Sequence, residues 1–300
     1  MKRRFISAAY ITFSFLFTSF LFTSCQKEQS SSEQEAQEVE ASRISGESES
    51  EAETVFNGVF DDAMGVNDEV GIGGTGVFGR VNVCPTVTVT RQNPPDLFPV
   101  RIEMDFGTNG CVGPDGHFRK GKVITIYTKR LLVPGAVAET SFEGFYMDSV
   151  KVEGTHKITN ISTAVTPGTA PVDRKFRVVI TNGKLTKPNG NYISWNSEKT
   201  ISQVEGLSTI LPMDDIFKIE GGSRGQVKRG NLLVGFNSNI TEPLMKRFNC
   251  RWIAKGMVKT TRVNASTNNP WIATLNFGNG SCDNLAVLTI NGVSYQITLP

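Results

Sequence analysis

The chain has 300 residues, of which 39% are hydrophobic and 20% charged, and its formal net charge is +2. These totals exclude a mostly disordered, a collagen-like or a polytopic membrane protein. The charges are unevenly distributed, because residues 26–54 carry a net charge of −7 and residues 80–300 a net charge of +10. A basic body can attract anionic envelope polymers or lipid headgroups. It can equally serve solubility, or the acidic segment can fold back onto it.

The first 24 residues have the layout of a secretory signal peptide. Residues 2–4 are basic, residues 5–22 form an apolar run rich in Phe, and two small residues precede Cys25. Residues 21–25 (LFTSC) resemble the bacterial lipobox, in which the Cys is acylated, with Phe22 where Leu is usual. We therefore expect a signal peptide over 1–24 and a membrane anchor through lipid at Cys25. Secretion without lipid and a retained transmembrane anchor are the alternatives.

The next segments differ sharply in composition. Residues 25–54 are almost entirely Ser, Glu, Gln and Ala without apolar periodicity, which predicts an acidic disordered tether. A surface-export signal is the alternative interpretation of this segment. Residues 55–79 are predicted to form one short amphipathic helix, over 55–66, followed by a Gly-rich linker.

Residues 80–300 show the period of two that is typical of β-strands. Val100, Ile102, Met104 and Phe106 alternate with polar residues, and Asn-Gly pairs at 182–183 and 291–292 favour hairpins. We predict an all-β fold, an antiparallel meander packed as a sandwich or a curled half-barrel, with one short N-terminal helix. A single domain over 80–300 is the interpretation we favour, and a pair of smaller β units is the alternative.

Four cysteines in this body follow a repeated pattern. Each pair is separated by strand, loop, strand and a Phe-Gly dipeptide, so folding the segment about its loop brings its two cysteines together. This predicts disulfides Cys84–Cys111 and Cys250–Cys282, as expected outside the cytoplasm. A zinc site would normally use close C-x-x-C pairs, which the sequence lacks.

Sequence motifs for catalysis or cofactor binding are weak. Residues 71–76 match G-x-G-x-x-G, but a Val/Thr strand rather than a helix follows, so we interpret them as a linker. His117 is predicted to be solvent-exposed in a turn and His156 to face outward from a strand, and neither lies in a catalytic motif. We expect no cofactor, no metal and no enzymatic activity. An envelope hydrolase using Asp or Glu carboxylates is the alternative.

Aromatic residues are the better indication of a binding site. Tyr192 and Trp195 lie close together in the sequence, and exposed rings there could stack on a sugar. Trp252 and Trp271 are predicted to lie on the two strands of the second disulfide-linked hairpin as a cross-strand packing pair.

Several segments carry a resemblance to a known family. These are the lipobox-like end at Cys25, CVGPDG at 111–116, NCRWI at 249–253 and GSCDN at 280–284. With them the chain resembles a bacteroidete-type outer-membrane lipoprotein family without an assigned activity, which implies an envelope location and a β-rich body. We expect a lipid-anchored outer-membrane protein, on the periplasmic or the cell-surface side. Its function would be non-enzymatic, binding or structural, with a glycan, lipid or protein partner and no nucleic acid.

Overall fold

The computed structural model describes residues 24–66, 70, 84–113, 116–164, 166, 172–208, 214–250, 252–263 and 271–299. The predicted signal peptide up to residue 23 and the glycine motif at 71–76 lie outside these residues. The chain separates into two compact units, Met1–Gln37 and Glu38–Pro300. All side-chain contacts discussed below belong to the second unit.

The described residues form one helix and fourteen strands. The elements are α1 (Ser24–Gly65), β1 (Thr86–Arg91), β2 (Val100–Asp105), β3 (Cys111–Val112), β4 (Phe118–Tyr127), β5 (Val137–Met147), β6 (Val150–Asn160), β7 (Lys175–Thr186), β8 (Tyr192–Glu205), β9 (Ile216–Arg229), β10 (Leu232–Arg247), β11 (Lys255–Arg262), β12 (Ile272–Asn279), β13 (Leu285–Ile290) and β14 (Val293–Thr298).

The strands form a single antiparallel sheet in chain order, with the short β3 pairing beside β4. Within the described residues the sheet is unclosed, with β1 at one edge and β14 at the other. Alternation within the strands places apolar side chains on one face, as in β2, where Val100, Ile102 and Met104 are buried. The predicted all-β meander with an N-terminal helix is therefore confirmed, as one continuous sheet.

Bulges at glycines let this long sheet bend. Gly121 lies inside β4 at φ +84°, where the register with β5 shifts between Lys120 and Lys122. A Cβ on Gly121 would lie 2.0 Å from the carbonyl oxygen of Gly144 on the neighbouring strand. Any other residue would therefore clash with that backbone, so the bulge at this point requires glycine.

The helix is much longer than predicted. Residues 24–65 form one helix of 42 residues, whereas we expected disorder over 25–54 and a short helix over 55–66. The buried stripe of α1 includes Ala41, Ile44, Ala52, Phe56 and Phe60 at helical spacing. Packing against the sheet provides the stabilisation that the polar sequence does not provide by itself. The segment is therefore helical despite its composition.

The sheet curls around this helix. A Cβ on Gly46 would lie 2.9 Å from Leu288 of β13, while the next residue, Glu47, pairs with Arg229 of β9. In a flat sheet these two strands, four spacings apart, would be separated by about 19 Å. Since both reach the same helical turn, the strands approach α1 from different sides.

Both predicted disulfides are present. Cys84 and Cys111 join the ends of the β1–β2 hairpin, and Cys250 and Cys282 join the ends of the β11–β12 hairpin. The first pair therefore closes the hairpin at the β1 edge of the sheet, and the second closes the hairpin that precedes β13 and β14, the strands of the other edge.

Candidate functional site

The face of the sheet that α1 covers is the candidate site, and we call it the covered face. It is defined by the sheet side chains that contact helix residues 38–64. Basic side chains of this face lie on β8, β9 and β11 and at the residue after β7. Aromatic side chains of this face lie on β4–β8. The basic side chains are Lys187, Lys199, Arg229 and Arg262.

Each basic side chain is paired with a carboxylate of the helix. Lys187 Nζ lies 2.9 Å from Glu51 Oε2. Both terminal nitrogens of Arg229 lie 3.2 Å from Glu47 Oε2. Arg262 pairs in the same way with Glu38.

Lys199 is the most deeply buried of these bases. Its side chain is 6% exposed, it pairs with Glu53, and its Nζ lies 4.0 Å from Glu49 Oε1. The same ammonium lies 4.9 Å from the centre of the Trp195 ring, in cation–π geometry. Burial lowers the pKa of Lys199 to about 8, while the charge of Glu49 acts in the opposite direction.

Glu49 connects the helix to two strands at once. One of its oxygens accepts a 2.8 Å hydrogen bond from Trp195 Nε1 and a 2.6 Å hydrogen bond from Ser223 Oγ. The other oxygen faces Lys199 Nζ at 4.0 Å, so this buried carboxylate meets two donors and one ammonium group. The arrangement is a set of preformed donors and cations that holds an anionic group.

The prediction that Tyr192 and Trp195 form an exposed stacking site is wrong. Trp195 is only 1% exposed and stacks on Phe56 of the helix at 5.5 Å. Tyr192 begins β8 and is half-buried, with Lys184 Nζ at 5.1 Å from its ring. The two residues are three positions apart in a strand, so they point to opposite faces.

Aromatic contacts dominate the other part of the covered face. Phe56 contacts His156 and Phe142 at ring distances of 6.5 Å each. Phe60 meets Phe176 edge-on at 5.7 Å. At the end of α1, Tyr127 donates a 2.8 Å hydrogen bond to the carbonyl oxygen of Ala63, and burial raises the pKa of Tyr127.

His156 lies inside this aromatic part and does not face outward as predicted. It is fully buried, and neither ring nitrogen has a hydrogen-bond partner in the described structure. Burial lowers the pKa of His156 to about 3, so the ring is neutral near pH 7. The other histidine, His117, is half-buried rather than free in solvent, because its Nδ1 bonds to Asp148.

Two pockets lie away from the centre of this face. A pocket of about 250 Å³ opens where β12 and β13 separate, and Asp283 is the carboxylate that lines it. A much smaller one, of about 30 Å³, places Tyr192 beside Ser48 and Glu51 at the rim of the covered face. The first pocket lacks the two facing carboxylates that glycoside hydrolysis requires.

The predicted Trp252–Trp271 pair is also wrong. In the β11–β12 hairpin Thr261 pairs with Ile272 and Lys255 with Asn279. Trp271 therefore lies beside the loop end of the hairpin and Trp252 beside its opposite end.

Neither metal ligation nor a membrane-spanning helix is found in the described part of the chain. No three His, Cys, Asp or Glu side chains there are grouped so that they could hold a metal ion. The helix described here, although long, is too polar to meet the requirements of a membrane span. No protein-family model, curated protein or solved structure matches the chain.

Several residues of this site were not predicted individually. No sequence pattern singled out Glu47, Glu49, Glu53 or Lys199. The available signal was the charge difference between the acidic segment and the basic body, for which folding back was one of the interpretations. The covered face is where that folding back occurs.

Proposed function

We propose that this protein is a lipid-anchored cell-envelope protein whose β-sheet body acts as a non-enzymatic binding module, with the covered face as its binding surface. Acylation at Cys25 and the outer-membrane location are part of this proposal and rest on the lipobox-like sequence. The observation that carries the binding function is the Lys199 site, where a fully buried base, an indole N–H and a hydroxyl converge on helix carboxylates.

The helix is a poor choice for a purely structural core element. Its buried side includes Ser42, Ser45, Ser48, Glu49 and Glu53, and the hydroxyl of Ser42 has no partner in the described structure. Buried ion pairs are often no more stabilising than well-packed apolar residues of similar volume. These buried charges therefore favour a surface that recognises a ligand over a helix that serves only as the apolar core of the sheet.

Binding by the chain from residue 25, with Cys25→Ser and both disulfides intact, tests the proposal. The ligands are lipopolysaccharide, peptidoglycan, a polysaccharide panel, and vesicles of anionic or zwitterionic lipid. Titrations are repeated up to about 1 M salt, where the screening length is only about 3 Å. Amide hydrogen exchange of residues 38–64 is measured with and without ligand.

We expect saturable binding that survives high salt and accelerates exchange in residues 38–64, because the ligand must displace the helix. Binding that leaves this exchange unchanged would place the binding surface elsewhere. If none of the ligands shows binding that survives high salt, the proposed binding function is contradicted.

A further inference from the structure

We infer that helix residues 38–64 act as an internal substitute for an anionic amphiphile, and that the ligand of the covered face is a lipid with a phosphate or carboxylate headgroup. This inference rests on the proposed binding function and names its ligand class. It makes α1 an autoinhibitory segment that the lipid displaces.

The basic part of the covered face is suited to an anionic headgroup. Lys199, Trp195 and Ser223 all direct a charge or a donor at the same Glu49 carboxylate. Arg229 adds a forked guanidinium on the neighbouring strand, facing Glu47. Guanidinium and ammonium groups bind phosphate by the charge-assisted hydrogen bonds that they make here to carboxylates.

The other part of the covered face is suited to hydrocarbon. The helix presents Phe56, Val59, Phe60 and Met64 to it, and all are buried. The sheet contributes aromatic rings to this contact, including Phe142 and Phe176. From Phe56 onward the helix therefore presents mostly apolar side chains to the sheet, with Asp61 and Asp62 also buried there, whereas its preceding turns present carboxylates to the bases. A lipid with an anionic headgroup and a hydrocarbon chain has a similar order of groups.

The apolar lining continues beyond the helix. Val87 and Val89 on β1 pair with Met104 and Ile102 and share their inward face, yet they are 40% and 39% exposed. This strip at the open edge of the sheet is continuous with the lining that α1 covers. It offers additional apolar surface to a hydrocarbon chain.

Some of the contacts that hold the helix to the sheet are weak enough for a ligand to compete with them. Several helix–sheet pairs, such as Lys187–Glu51 and Arg229–Glu47, are partly exposed and contribute little individually. The helix also buries serines, which gain little from leaving water. A lipid replaces these groups with hydrocarbon while keeping the anionic contacts.

Trp195 provides a direct readout of occupancy. The chain contains three Trp, so W252F/W271F leaves Trp195 as the single indole. Phosphatidylglycerol with brominated acyl chains should quench its emission, because bromine quenches on contact and Trp195 lies in the covered face. Phosphatidylcholine with the same brominated chains should quench far less, and inorganic phosphate alone should not quench. If W252F/W271F does not fold, the difference in quenching between the wild type and W195F supplies the same readout.

Helix-side variants test the competition without altering the binding surface. E47Q/E51Q removes two carboxylates from α1 and leaves the sheet cations in place. It should tighten apparent binding of the anionic lipid by about threefold to tenfold, since two partly exposed pairs no longer oppose it. The matched control is E139Q/E198Q, which makes the same charge change at exposed strand residues and should leave the affinity unchanged.

The outcomes separate this inference from the proposed function. Equal quenching by both brominated lipids, or tightening by the control variant, would overturn the anionic-amphiphile assignment. Release of the helix by a glycan or an acidic peptide, without quenching by any lipid, would overturn it and leave the binding module standing. Failure of every ligand to bind contradicts the proposed function itself.

Discussion

The indole of Trp195 donates a 2.8 Å hydrogen bond to Glu49, a residue 146 positions earlier in the chain. This bond joins a segment that looks like a solvated tether to the centre of the β-sheet. It also supplies a carboxylate to a part of the sheet where the strands alone would bury a cation without a counter-charge and two hydrogen-bond donors without an acceptor. The residues after Cys25 are thus part of the folded body from Glu38 onward.

Trp195→Phe should destabilise the protein by about 1–3 kcal/mol, because Glu49 loses one of its buried donors while the ring stack on Phe56 is retained. Urea denaturation followed by circular dichroism measures the free energy of unfolding. The matched control is Tyr192→Phe on the same strand, which should change stability by no more than about 0.5 kcal/mol. Equal effects of the two substitutions would contradict the role of this hydrogen bond.

Lys199→Met should cost about 3–5 kcal/mol, because it leaves Glu49 and Glu53 buried without their cation. Adding Glu53→Gln should recover part of this loss in a double-mutant cycle. Lys218→Met is the control, since Lys218 forms a partly exposed pair with Glu220, and it should cost at most about 1 kcal/mol. The absence of any recovery in the cycle would show that the Lys199–Glu53 pair is not coupled.

His156 should make stability fall in mild acid. Its pKa is about 3 in the folded protein, against 6.5 for an unperturbed histidine, so below pH 6.5 the unfolded chain binds the extra proton. The free energy of unfolding should therefore decline by up to about 1.4 kcal/mol per pH unit below 6.5, with no contribution from this group above it. Denaturation at about pH 7.5, 6.5 and 5.5 avoids the range near pH 4 in which Asp and Glu side chains ordinarily titrate.

His156→Phe should flatten that dependence, because it removes the titrating ring but keeps an aromatic partner for Phe56. Phe142→Leu, at another ring that contacts Phe56, serves as the comparison, because it changes packing but removes no titrating group and should keep the slope. A slope that persists in His156→Phe would assign the acid sensitivity to other groups.

Cys25→Ala should abolish incorporation of a labelled fatty acid and release the protein from the membrane fraction of cells. Two or more acyl chains are what make such an anchor stable, so loss of acylation removes it. Lys27→Ala, two residues away, should leave labelling intact. Labelling that survives in Cys25→Ala would contradict the lipid anchor at this residue.

The sheet was readable from the sequence because its signals are local. Alternation in residues such as Val100, Ile102 and Met104, and the repeated Phe-Gly before Cys111 and Cys282, report neighbouring strands and hairpins directly. Each of these features depends on pairing between segments adjacent in the chain. The meander and both disulfides could therefore be predicted.

The helix was not readable in the same way because its stability comes from distant residues. The buried stripe of its acidic half is formed by Ala41, Ser45, Ser48 and Ala52, with Ile44 as the large apolar side chain. A hydropathy pattern sees no periodicity in such small residues. Its charges are compensated by bases up to 224 positions away, as in the Glu38–Arg262 pair, and no local rule connects them.

Likewise, the failed prediction for Trp195 follows from the covering helix. A Trp beside polar residues on a strand is consistent with an exposed sugar platform until another element buries it. The same holds for His156, whose outward orientation was inferred without knowledge of Phe56.

The chain-order meander has a consequence for how the protein is made. Each long strand pairs with a neighbour in the sequence, so the sheet can form progressively during synthesis. The helix precedes the sheet in the chain, and its partners, from Tyr127 to Leu288, are synthesised only later. Until then residues 38–53 are exposed to water, and their Glu and Ser side chains keep them soluble without a partner. We therefore expect pulse-labelled hydrogen exchange during refolding to show protection in β5–β8 before protection in residues 38–53, because this part of the helix is buried after those strands have paired.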